Sequence, residues 1–194
     1  MNKIPMFQQN KTLEKGLSLI ESAMVLALAA VTIASVLYFY NNALENKKVN
    51  DGISRVQSII AAINGFLTNG SYAFNDTSTL GSFVKAVSLK TGIPTTTFGD
   101  NTTQFIDENG RGIEFWPDTK NRLYVIEVQT SNIPTCVKYA SMNMGTMFSK
   151  KPEIFLDKKS MGVANDVSSA NLACQSADKS RNGANIKIRY SLKY

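Results

Sequence analysis

Hydrophobic and polar positions divide the chain into stretches with different periods. From Leu17 to Tyr40, Glu21 is the one charged residue among about two dozen, and the apolar side chains leave no polar face. Such a run reads as a helix, because a half-buried strand would alternate and a surface helix would show a polar stripe. At about 1.5 Å per residue it is roughly 36 Å long, enough for a bilayer core of about 30 Å. Asn41 to Lys48 is polar and free of proline, and beyond it Val49, Ile53, Val56, Ile60, Ile63 and Leu67 recur at alternating spacings of four and three. That is the stripe of an amphipathic helix, suited to a coiled coil or to packing on the chain's own head. No proline lies between Pro5 and Pro94. One helix is therefore predicted from Leu17 to about Thr68, roughly 78 Å long, softened at Gly52 and ended by Asn69-Gly70. It has an apolar half, 17–44, and an amphipathic half, 45–68.

The remaining 69–194 reads as an α+β head. Ser71 to Gly112 is rich in Asn, Thr, Ser and Gly, with apolar patches at Phe83-Val84 and Val87-Ser88-Leu89. It predicts a loop region holding a short helix that ends near Thr91-Gly92-Ile93-Pro94. Ile113 to Trp116 and Leu123 to Val128 flank Pro117-Asp118-Thr119-Lys120-Asn121 as a hairpin. Thr135 to about Met147 reads as a helix with Val137, Ala140 and Met144 on one side. Finally Ile186, Ile188, Tyr190, Leu192 and Tyr194 alternate with Lys187, Arg189, Ser191 and Lys193. That period of two predicts an interior strand with one core face and one wet face. A long helical spine under an antiparallel or mixed sheet follows.

Glu21 needs an account of its own, since a carboxylate in hydrocarbon costs about 2.5 to 3.5 kcal/mol on insertion scales. A secretory signal cut after Ala27-Leu28-Ala29 would leave Val31 to Tyr40 as a greasy terminus. A plain membrane anchor explains the length and leaves the acid unexplained. A soluble core helix has no need of so long a run apolar on every face. Cleavage between Gly16 and Leu17 uses every residue: the leader 1–16 is removed, Leu17 becomes the first residue and Glu21 the fifth. A Gly-ended leader, an apolar residue after the cut, Glu at mature position five and an unbroken apolar helix beyond resemble the type IV prepilin signature. Leu17 as first residue and a 16-residue leader resemble the type IVb branch. Within it, Gly16 to Ala30, and Ala62-Ile63-Asn64-Gly65 followed by Ser71-Tyr72, are similar to bundlin-type major subunits.

That resemblance implies a structural filament subunit rather than an enzyme, with no cofactor. A leader peptidase would cut before Leu17 and methylate its amine. Partners would be further copies of the chain, minor pilins, the peptidase, the inner-membrane assembly machinery, and neighbouring pili or a host cell surface. The subunit would wait in the inner membrane of a Gram-negative bacterium and end in an extracellular pilus serving adhesion, aggregation and microcolony formation. A minor pilin, a conjugative thin-pilus subunit and a type II secretion pseudopilin would look much alike. In a bundle of parallel helices one subunit's Leu17 amine could meet another's Glu21, so that neither charge is buried unpaired.

Charge and cysteine content sharpen this picture. The formal charge is +6, of which the leader's Lys3, Lys11, Lys15 and Glu14 supply +2, and no basic stripe with interleaved aromatics marks a nucleic-acid binder. Positive residues before the apolar run, with mixed charge after it, place the leader in the cytoplasm and translocate the head. Cys136 and Cys174 would then enter an oxidising compartment. A bridge closing a loop of about 38 residues is worth roughly 4 kcal/mol by chain entropy. The spacing is too wide for a CxxC redox site, and two thiols without any histidine make a poor zinc site. The absence of histidine and of a nucleophile elbow also argues against an anchored enzyme. Asp107 to Gly112 lacks EF-hand spacing and reads as a turn. Met142, Met144 and Met147 read as gap-fillers rather than copper ligands, so no metal is expected. The sequons at Asn75 and Asn101 are chance matches, and the lysine pairs 47–48, 150–151 and 158–159 are solvated faces or elements that steer packing.

Overall fold

The computed structural model describes residues 19–70, 77–98, 102–118, 120–180, 182 and 184–193. The chain divides after Glu45 into two compact units, a helical segment and a head of Asn46–Tyr194. Helix α1, Leu19–Thr68, runs unbroken through both, as the lack of proline predicts.

Within the head the predicted stripe of α1 is the buried one. Val56, Ile60 and Ile63 are no more than 1% exposed, and the buried Ile59 and Ala62 widen the stripe on one side. They join one core cluster with the rest of the head, so the stripe serves the chain's own fold rather than a coiled coil. Gly52 corrects the expectation of a soft point. It is buried in α1, and a Cβ built there would collide with Tyr139 Oη and lie 3.2 Å from Cζ. Glycine stands there because a ring fills the space of a side chain. The helix stops as predicted: Gly70 adopts φ 66°, and Asn69 Nδ2 donates to the Gly65 carbonyl at 2.7 Å, giving a loose carbonyl a partner.

The short helix expected after residue 71 is α2, Thr77–Thr91, ended at Gly92 with φ 71°. The loop reading of the following residues is overturned by two strands, β1 (Thr95–Thr97) and β2 (Thr103–Ile106), which pair antiparallel. Threonines are good strand formers but give no apolar alternation, and the hairpin places only Phe105 deep in the core. The next hairpin is where the sequence puts it: β3, Gly112–Asp118, pairs with β4, Leu123–Thr130.

Helix α3, Ile133–Ala140, is shorter than the expected Thr135 to Met147. Asn132 opens it by accepting from the Thr135 amide at 2.8 Å, with Pro134 in the first turn where a missing N–H costs nothing. Gly145 sits at φ 58°, with its amide held by Asn143 Oδ1 at 2.8 Å. The segment therefore turns out of the helix and closes in a 3-10 turn at Gly145–Met147. Three further elements lie where no element is predicted: β5 (Phe148–Leu156), β6 (Lys159–Val163) and α4 (Val167–Ser180). The last strand, β7 (Ile186–Lys193), alternates as predicted, with Ile186, Ile188, Tyr190 and Leu192 fully buried. Tyr194 lies outside the described residues.

Among the described residues these strands form one sheet in the order β1-β2-β3-β4-β7-β5-β6. Every neighbouring pair is antiparallel. The head part of α1, with α2, α3 and α4, shares the core on one face of the sheet, an α+β layering. The Tyr190 hydroxyl, wholly buried, donates to the Tyr139 carbonyl at 2.9 Å and locks α3 to β7.

Candidate functional site

The functional segment foreseen at the N-terminus begins outside the described residues, so Gly16 and Leu17 have no structural account. Glu21 is described. It lies exposed in the first turn of α1, where the helix dipole favours a negative charge. The α1 window that meets the length and composition needed to cross a membrane has mean hydropathy 2.1 and none of its residues buried. Leu19 is 89% exposed, Leu26 71% and Phe39 69%, on all sides of the helix. Covering each such side chain is worth about 1.5–3 kcal/mol, so the whole segment carries tens of kcal/mol of unspent burial. Two of its hydroxyls are satisfied within the helix: Thr32 Oγ1 donates to the Ala29 carbonyl and Ser35 Oγ to the Val31 carbonyl, both at 2.8 Å. Hydroxyls satisfied in this way lower the cost of exchanging water for hydrocarbon or for other helices.

In the head the two cysteines meet as a disulfide. Cys136 of α3 and Cys174 of α4 have Cα atoms 6.0 Å apart and join at the sulfurs, and both are fully buried. Helix α4 contributes only Ala170, Ala173, Cys174 and Ala177 to the core. So little apolar area anchors a helix weakly, and the bridge compensates for it. Asp166 caps α4 by accepting from the Ser169 amide at 2.7 Å. That bond and the Ser169 hydroxyl hold its carboxyl below the usual range.

The sheet face away from the helices is not the simple wet face expected. Glu127 of β4 is 1% exposed, with β3 residue Glu114 and β7 residue Arg189 as its register partners. Arg189 donates to Glu127 Oε2 from Nε at 3.0 Å and Nη2 at 2.8 Å. Lys187 reaches Glu127 Oε1 at 2.8 Å and Glu114 Oε1 at 3.5 Å. The Arg189 guanidinium also lies 3.9 Å from the Phe155 ring centre and 5.2 Å from that of Trp116. Desolvation pulls the Lys187 ammonium down, but its bonds to Glu127 and Glu114 outweigh that and leave it raised. A buried carboxylate is tolerable here because two cations and their hydrogen bonds surround it. The signal available in sequence was the acid at Glu127 inside an otherwise apolar strand.

The smaller motifs fall where bland readings put them. Asp107 Oδ1 accepts from the amides of Asn109 and Arg111 at 2.8 and 2.7 Å, and Gly110 turns at φ 74°. Met142 and Met144 are buried in the core, and Met147 packs on it, its sulfur accepting from Asn64 Nδ2 at 3.2 Å. Asn75 and Asn101 lie outside the described residues.

No protein-family model matches the chain. Two curated relatives, one from Escherichia coli O127:H6 (strain E2348/69 / EPEC) and one from Escherichia coli O111:H-, are each described as the major structural subunit of bundle-forming pilus. Each is 36% identical over 141 residues, 71% of this chain and 69% of the relative. The chain belongs to this family of pilus subunits. The fold of the pilin agrees with that of a type IV b pilin from Salmonella typhi, at TM-score 0.51 and 15% identity, over 75% of this chain and 99% of the other. The α+β architecture read from the sequence of the pilin is thus that of the type IVb branch.

Proposed function

We propose that this pilin is the major structural subunit of a type IVb pilus. The observation that carries the reading is the segment Leu19 to Tyr40, apolar on every side and uncovered by the chain itself. A bilayer can cover it before assembly, and the same segment of other copies can cover it afterwards. A cut after Gly16 gives Leu17 a free amine, the site of methylation, and Glu21 of a neighbouring copy pairs with it as a register key. Removing one partner from such a buried pair typically costs about 3–5 kcal/mol. The heads form the filament surface, which mediates adhesion, bacterial aggregation and microcolony growth. Prepilin peptidase, the inner-membrane assembly machinery and minor pilins are the remaining partners.

The test is electron microscopy and mass spectrometry of filaments sheared from cells that express the chain. The expected filament contains this chain as its bulk protein, beginning at methylated Leu17 and two hydrogens light for the disulfide. Trace amounts in the filament would instead mark a minor pilin or a pseudopilin. Glu21→Gln is expected to reach the membrane, keep its head folded and fail to polymerise; normal filaments at normal rates would refute the pairing.

A further inference from the structure

Three half-buried cations of the head are paired with acids, and a second, exposed set has no ion pair among the described residues. Arg55 pairs with Glu108 at 2.9 Å, and Lys187 and Arg189 pair with Glu127. At the end of the sheet where β3 turns into β4, Arg122, Lys150 and Lys193 line one cleft of about 580 Å³ with Asp118, Asn121, Leu123 and Ser149. All three cations are exposed, and none has an ion pair among the described residues. The acid present, Asp118, is occupied by its own turn: Asn121 Nδ2 donates to its Oδ2 at 2.7 Å.

Two departures from regular backbone put the cations there. Arg122 adopts φ 54°, a left-handed conformation that costs a side-chain-bearing residue about 1–2 kcal/mol and that glycine would adopt freely. Register shifts in β5 against β7 fall on both sides of Lys150, so Lys150 and Lys151 are exposed in succession. A regular strand would turn one of the two toward the core. Lys150 and Ser149 also line the adjoining cleft, of about 430 Å³, which continues past Lys151 to Asn165 and to Asp166, whose carboxylate is held by the Ser169 amide. The joined clefts carry four cations, Arg122, Lys150, Lys151 and Lys193, against two acids, Asp118 and Asp166, and are longer than one small anion. Aromatic rings, which base stacking needs, are absent from the lining of the Arg122 cleft, and the adjoining cleft has one, Phe148, which is stacked on Tyr190.

We propose that this groove binds a phosphate-bearing polyanion along its chain, by charge and without recognition of bases. On the filament reading above, the mature chain's excess of positive charge makes parallel filaments repel, and a shared polyanion would bridge them. The bridging rests on that reading; the binding does not.

The test uses the full chain in non-ionic detergent and end-labelled inorganic polyphosphate, followed by fluorescence anisotropy over a salt series. Arg122→Gln/Lys150→Gln/Lys193→Gln is expected to weaken binding at least about tenfold and to flatten the log–log salt dependence by about two, near 0.7 per lost phosphate contact. The charge-matched control Lys158→Gln/Lys159→Gln/Lys179→Gln is expected to change it less than about threefold. Equal losses in the two triples would overturn the proposal, since net charge alone would then explain binding. So would single-stranded DNA binding about tenfold tighter than polyphosphate at equal phosphate, which would mean base contacts. The double variant Lys150→Gln/Lys193→Gln leaves the Arg122 turn intact and must show most of the loss. Intact binding by the detergent-held chain, with sheared filaments that ignore polyphosphate, would refute the bridging alone.

Discussion

Gly52→Ala separates two physical effects of opposite sign. Helix propensity favours the change by about 1 kcal/mol, because Gly in a helix interior loses more backbone entropy than Ala. Packing opposes it. The new Cβ would collide with Tyr139 Oη and sit 3.2 Å from Cζ, and the ring cannot swing away freely, since Tyr139 is only 6% exposed. Its backbone is tied as well, through the carbonyl that accepts the Tyr190 hydroxyl at 2.9 Å. Overpacking of this kind costs about 1–3 kcal/mol. The net expectation is a loss of up to about 2 kcal/mol, which for a chain of this size is a fall of up to about 8 °C in melting midpoint. The assay is thermal unfolding of the full chain in detergent, followed by near-ultraviolet circular dichroism. Tyr139→Phe removes Oη, so Gly52→Ala made in that background is expected to lose much less, giving a coupling of about 1 kcal/mol. A midpoint that rises on Gly52→Ala would refute the steric argument and restore the view of Gly52 as a soft point in the helix.

Replacing Cys136 and Cys174 by Ser is expected to cost roughly 4 kcal/mol of head stability, and because both sulfurs are buried, native protein should resist reduction until denaturant opens it; mass shift after thiol alkylation reads this. Glu127→Ala leaves Lys187 and Arg189 without their shared acid, and since those side chains are 24% and 32% exposed, the loss should fall below the buried-pair range, at about 2 kcal/mol, against near-neutral Glu153→Ala in the same denaturant series. Burial pushes the Tyr139 phenol up to about 12, with the Asp107 charge adding to it, and burial likewise raises Tyr190. A folded value above the unfolded one means that stability is intact below about pH 10 and falls as pH rises, by about 1.4 kcal/mol per unit for Tyr139 up to about 12. Chemical denaturation between pH 8 and 12 would show this, and a flat profile would contradict it.

What the sequence discloses depends on how the core is bought. Strand β7 and the α1 stripe use large aliphatic and aromatic residues at a fixed period, so Ile188, Tyr190, Val56 and Ile63 announce their faces. Helix α4 packs through alanines and a cysteine, which are too weakly apolar to mark a stripe, and its tie to α3 shows only as the pair Cys136 and Cys174. Strand β5 hides for another reason: the register shifts around Lys150 break the alternation that identifies a strand. The β1–β2 hairpin is built from threonines that score as loop. Met142 to Met147 reads as helix because methionine suits one, whereas the φ 58° at Gly145 is a conformational demand that composition does not display. At the N-terminus Glu21 is legible for the opposite reason: a lone charge stands out in an apolar run.

The two units answer to different balances. The head holds a core, a disulfide and a sheet whose buried carboxylate, Glu127, is paired with Lys187 and Arg189. The segment from Leu19 to Tyr40 holds none of these, and on the proposed reading it exchanges a bilayer for the same segment of other copies. That exchange gains little from hydrophobicity, because lipid tails are as apolar as leucine. The tens of kcal/mol that seat the segment in a membrane are conserved on leaving it, and they supply no direction. Direction must come from terms that differ between lipid and protein: close packing, and a carboxylate at Glu21 that costs energy in hydrocarbon and loses that cost beside an amine. A variant that keeps the apolar run and replaces Glu21 should therefore insert as well as the parent, or better. Its defect should appear only at polymerisation, so membrane fractions and sheared filaments, measured on the same cells, must move apart.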